Sequence, residues 1–127
     1  MTSTRQFDVV VWGSTGVTGR LTSAYLHSTY PDLKWAIAGR NKAVLTELKQ
    51  ALNLKESVEV IVADLSDKAA LTALTSRTKV VLSTAGPYAK IGTPVVEACI
   101  AGGAHYCDLT GEAPWIREIA DKYFDEA

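Results

Sequence analysis

The 127 residues carry 13 basic against 14 acidic side chains, with 47% apolar and 21% charged content, the profile of one soluble globular domain with a single core. A formal charge of −1 excludes a broad basic footprint for nucleic acid, and two cysteines outside any CxxC spacing exclude a disulfide framework. The polar N-terminus has no signal-peptide core and no apolar run has the length of a membrane span, so the chain reads as cytoplasmic, with Cys99 and Cys107 as free, buried thiols.

The first predicted element is a strand, FDVVVW at 7–12, and directly behind it stands GSTGVTG, three glycines at three-residue spacing. Gly13 suits the tight turn that leaves the strand. Gly16 lets a pyrophosphate approach the backbone at a helix N-terminus, and Gly19 lets that helix lie close to the sheet. Strand before and helix after is the context a dinucleotide fingerprint requires, although the spacing is GxxGxxG and not GxGxxG. The hydroxyls of Ser14 and Thr15 are candidates to bond the same phosphate. The helix that follows is read from an apolar stripe of Val17, Leu21, Ala24 and Tyr25 at the 3.6 period.

A second strand, KWAIA at 34–38, ends in GRNK, where a NAD-binding domain places an acidic residue for the ribose 2′-hydroxyl. Here Arg40 stands 21 residues after Gly19, and no Asp or Glu lies between Lys34 and Val44. A guanidinium fork suits a 2′-phosphate, so the position predicts NADP(H), with Asn41 and Lys42 as helpers; the competing reading is a solvated arginine opening the second helix. Tyr30 and Lys34 have the YxxxK spacing of short-chain dehydrogenases, but Pro31 breaks the helix the pair would need. A third strand, VEVIVA at 58–63, ends at Asp64, read as an adenine neighbour or as a turn residue before the third helix, a role open also to Ser66 and Asp67.

The fourth strand, KVVLST at 79–84, leads into AGPY, where Thr84, Ala85, Gly86 and Pro87 would lie at the switch point that a dinucleotide crosses, and Tyr88 faces either the nicotinamide or substrate or the core. A helix through Val95, Val96, Cys99 and Ile100 precedes the fifth strand, HYCDL at 105–109, and the loop TGE opens a last helix. Asp108, Thr110 and Glu112 crowd the same edge, the two carboxylates as candidates for catalysis, with Glu112 alternatively a first-turn helix residue. His27 and His105 are isolated, which argues against metal ligation. Five strands alternating with helices predict an α/β doubly wound parallel sheet of order 3-2-1-4-5, one dinucleotide-binding domain over 1–127, truncated before a sixth strand and a substrate domain. An uncovered fifth strand predicts self-association into a homo-oligomer.

VVVWGSTGVTGRL, AIAGRN, VLSTAGPYAKIGTPVVEAC and HYCDLTGE together resemble the N-terminal NADP-binding domain of the saccharopine dehydrogenase-like oxidoreductases, which include trans-acting enoyl reductases. The resemblance implies a nicotinamide-dependent oxidoreductase whose cofactor touches Gly13, Ser14, Thr15, Gly16, Val17, Arg40, Asp64, Ala85, Gly86 and Pro87. It implies a small-molecule substrate held by a second domain, so that 1–127 alone has no turnover. A binding module of the NmrA type, which reads NADP without consuming it, is the alternative.

Overall fold

The computed structural model describes residues 5–126. Five short runs rich in β-branched and aromatic residues form one parallel sheet: β1 (Phe7–Trp12), β2 (Trp35–Gly39), β3 (Glu59–Val62), β4 (Thr78–Ser83) and β5 (His105–Asp108), in the order β3-β2-β1-β4-β5. The register sets Val11 beside Ile37 and Leu82, so the C-terminal ends of β1, β2 and β4 finish side by side. Burial of both faces of a parallel sheet explains why β1 and β2 are almost unbroken apolar runs.

Two layers of helix cover the sheet. On one face α1 (Val17–Thr29) and α2 (Lys42–Ala51) sit over Val11, Trp35 and Ile37. Leu45 and Leu48 of α2 are fully buried there, about 1.5–3 kcal/mol of stabilisation apiece. On the other face α3 (Lys68–Ser76) and α5 (Thr93–Gly102) close over Val10, Trp12 and Val81, with Leu71, Leu74, Val95 and Cys99 at the contact. A short α4 (Tyr88–Ile91) and the last helix, α6 (Ala113–Tyr123), join α5 through a smaller cluster of Tyr88, Val96, Trp115 and Tyr123. Asn41 caps α2 by accepting from Val44 N–H, and Asp67 caps α3 by accepting from Ala70 N–H.

Two expectations need correction. The apolar stripe of α1 does not face the core: Val17, Leu21 and Tyr25 are 78, 67 and 57% exposed, and the buried residues are Gly19 and Ser23. The helix approaches the sheet on its smallest side chains because Gly19 lies against the backbone of Gly13 and Ser14, and that contact turns the stripe outward. Cys99 is buried and free as expected, but Cys107 is exposed. It alternates along β5 with Tyr106, the residue that packs against the core clusters.

Candidate functional site

The turn after β1 is built from contacts that only glycine permits. Gly13 has φ +81°, and a Cβ there would stand 2.7 Å from the Ala85 Cβ and 2.8 Å from the Ala85 nitrogen. The predicted residues Gly13 and Ala85 are therefore in contact, and the turn after β1 is packed on the turn after β4. Thr84 joins the two: its N–H donates to Trp12 C=O at 2.9 Å, and its hydroxyl reaches Gly13 C=O at 2.9 Å and Trp12 C=O at 3.1 Å. On the opposite flank the fully buried Ser14 hydroxyl donates to Val11 C=O at 2.6 Å and accepts from Ala38 N–H at 3.3 Å. That hydroxyl is committed to joining β1 to β2, so what Ser14 offers a phosphate is its main chain. Arg20 folds back from the first turn of α1 to donate from Nε to Thr15 C=O at 3.1 Å.

Gly16 differs from its neighbours. It is the exposed N-cap of α1 with φ −74° and ψ 173°, and an added Cβ would meet only Gly13 C=O, at 3.8 Å. No side chain caps the helix. The first-turn N–H groups of α1 thus face open space with the positive end of the helix dipole behind them, and exposed Val17 stands at the rim. A phosphate fits this cradle in both charge and room.

Arg40 follows the last residue of β2, is exposed, and is unbonded among the described residues. Asp64 is also exposed, just beyond β3. Its Oδ1 accepts from Ser66 N–H at 2.9 Å and Ser66 Oγ at 2.8 Å, which holds the carboxyl below the ordinary range, and the charge of Arg40 adds a smaller pull. Asp64 is not the helix cap; Asp67 is. Asn41, read as an Arg40 helper, is committed as the cap of α2.

Past β4, Gly86 and Pro87 are exposed and joined by a cis peptide. Tyr88 does not face the turn: it is 4% exposed, its hydroxyl donates to Ser83 C=O at 2.9 Å, and its ring stacks on Trp115 at 5.5 Å. Burial pushes its phenol upward, as it does more strongly for Tyr106, whose hydroxyl donates to Asp108 Oδ2 at 2.6 Å. Asp108 also accepts from Thr110 N–H at 3.0 Å, and both Glu112 oxygens accept main-chain N–H groups of Tyr88 and Ala89. These carboxylates have structural partners. Arg20 escapes a reading by motif; a basic residue in the first turn of a helix, against the dipole, is the signal that singles it out. Among the described residues no group of three or more His, Cys, Asp or Glu is placed to hold a metal, and no helix is long and apolar enough to cross a membrane. An apolar cleft of about 700 Å³ between α5, β5 and α6 contains none of the glycine-turn residues, nor Arg40 or Asp64.

Residues 9–127 match the family described as the saccharopine dehydrogenase NADP binding domain. The chain belongs to this family. The saccharopine dehydrogenase-like domain is 40% identical, over 131 aligned residues covering all of it, to a Mycobacterium tuberculosis (strain H37Rv) protein provisionally named a trans-acting enoyl reductase. It is 37% identical over 97% of its length to the trans-acting enoyl reductase of Mycobacterium ulcerans. It spans 31 and 30% of those two proteins, about a third of each. The fold matches apo saccharopine dehydrogenase (L-Glu forming) of Saccharomyces cerevisiae with a TM-score of 0.73 at 21% identity, covering 89% of this chain and 24% of that one. The cofactor of this domain is NADP, and the cradle at Gly16 with Arg40 at the end of β2 fits it.

Proposed function

We propose that this domain holds NADP(H) for an oxidoreductase that reduces an enoyl carbon–carbon double bond, with the adenosine 2′-phosphate on Arg40, the adenine beside Asp64, the pyrophosphate on the main chain from Gly13 to Val17, and the nicotinamide half along Ala85, Gly86 and Pro87. The observation that carries the reading is the gap at Gly16, a glycine that no atom of the described residues requires, set before an uncapped helix N-terminus. Bound NADPH supplies the hydride. The enoyl substrate class rests on the names of the mycobacterial relatives. Asp108 and Glu112 are engaged in structural bonds, so the reading places substrate and proton donor on chain beyond this domain, and the isolated domain turns nothing over. The free thiol of Cys107 supports a reducing, cytoplasmic setting, and the outer edge of β5 supports self-association.

Calorimetric titration tests the assignment. Charge-assisted bonds contribute about 1.5–3 kcal/mol, so NADPH should bind roughly ten- to a hundredfold more tightly than NADH at low salt. Arg40→Ala should erase most of that ratio, and Arg40→Asp should reverse it. Equal affinity for the two cofactors in the wild type, or a ratio untouched in Arg40→Ala, overturns the role of Arg40. Tight NADPH binding without NADPH consumption by the whole protein on enoyl thioesters favours a non-catalytic NADP sensor.

A further inference from the structure

The turn at Ala85, Gly86 and Pro87 has two exposed residues and leans on the glycine turn where Ala85 meets Gly13. Its upstream end is fixed by Thr84. Its downstream end is the first turn of α4, whose Tyr88 and Ala89 N–H groups both donate to one side chain, Glu112, at 2.6 and 3.0 Å. A carboxylate meeting two amides at the start of a helical turn is favoured by charge as well as by bond count. Glu112 is itself set in place: its N–H donates to Thr110 Oγ1 at 3.0 Å, and Thr110 N–H donates to Asp108 Oδ1 at 3.0 Å. Behind this link Tyr88 stacks on Trp115, and Gly92 makes room for the indole, since a Cβ there would come within 2.7 Å of Trp115 Cζ2. A continuous string of bonds runs from the end of β5 to the turn after β4, and Glu112 is where it crosses.

We propose that Glu112 is a positioning residue for the nicotinamide half of the cofactor, acting by fixing the turn of Ala85, Gly86 and Pro87 against the glycine turn; this rests on the NADP reading above. Arg40 and Asp64 lie at the ends of β2 and β3, away from this link, so the adenosine half does not depend on it.

The test compares two ligands on the chain and its variants. NADP carries both halves, whereas adenosine 2′,5′-bisphosphate carries the adenosine half assigned to Arg40 and Asp64 and one phosphate for the glycine turn, with no nicotinamide half. Glu112→Ala should weaken NADP about tenfold and leave the bisphosphate within about twofold of wild type. Glu112→Gln keeps one carbonyl acceptor and should recover part of the loss. Amide exchange at Tyr88 and Ala89 should accelerate in Glu112→Ala. If Glu112→Ala does not fold, the Gln variant carries the same comparison with a smaller effect. Equal weakening of both ligands, or of neither, in a folded variant overturns the positioning role. A wild type that binds neither ligand overturns the NADP reading and this role with it, a pattern distinct from a wild type that binds both.

Discussion

Alanine at Gly16 and alanine at Gly19 should damage different properties. At Gly19 the new Cβ would lie 2.3 Å from Gly13 C=O, 2.6 Å from Ser14 Cα and 2.7 Å from Ser14 carbonyl carbon, about an ångström inside ordinary contact. All three are main-chain atoms and cannot rotate away. Overpacking of this kind costs about 1–3 kcal/mol, and backbone contacts place it at the upper end. Replacing a helical glycine returns about 1 kcal/mol of helix propensity, so the net loss should be about 2 kcal/mol, a fall in Tm of roughly 5–10 °C. At Gly16 the nearest atom is 3.8 Å away and the backbone angles suit alanine. The cost of alanine at an N-cap, up to about 1 kcal/mol, is largely offset by the stiffer unfolded chain, so Tm should hardly move. The methyl group would instead occupy the space in front of the helix amides, and NADPH affinity should fall about tenfold or more. Thermal melts and calorimetric titration of both variants read the contrast. A Gly19→Ala protein as stable as wild type, or a Gly16→Ala protein that binds NADPH normally, would refute the division of labour between these glycines.

Ser14→Ala should cost about 1–3 kcal/mol in urea unfolding, because Val11 C=O and Ala38 N–H lose a buried partner, while NADPH affinity stays near wild type; lost affinity at unchanged stability would mean the hydroxyl serves the phosphate after all. In the folded protein iodoacetamide should label the exposed Cys107 at mildly alkaline pH and leave Cys99 untouched until urea is added, which mass spectrometry reads directly. Burial pushes the Cys99 thiol from 9.0 up to about 12, so the unfolded chain releases that proton first. The contribution of this thiol to stability is therefore intact below about pH 9 and declines as pH rises toward about 12. Unfolding free energies across that alkaline range should fall less steeply in Cys99→Ala, and an identical slope would contradict the assignment.

The sheet was legible because a buried parallel strand has no wet face to conceal, and each of the five strands lies within a residue or two of its predicted run. The order of strands followed from right-handed crossovers together with the doubly wound pattern that a glycine turn after the first strand points to. The face of α1 was not legible. Periodicity reports where apolar residues fall, and here a glycine contact with the preceding turn outweighed the stripe of Val17, Leu21 and Tyr25. Ser14 was placed in the right turn with the wrong partner, since a hydroxyl looks alike in sequence whether it points to a ligand or to the strand beneath. The link from Glu112 to Tyr88 joins positions 24 residues apart, and no local pattern announces such a bond.

The four residues from Gly13 to Gly16 are held before any nucleotide arrives, through Thr84, Ser14, Arg20 and the close approach of Gly19. Ordering one residue's backbone costs about 1–2 kcal/mol, so a floppy turn of this length would subtract about 4–8 kcal/mol from binding. Folding meets that cost once, in the empty protein. In the proposed placement the pyrophosphate of NADP meets a surface that is already shaped, and its contact energy is expressed as affinity with little lost to freezing the loop.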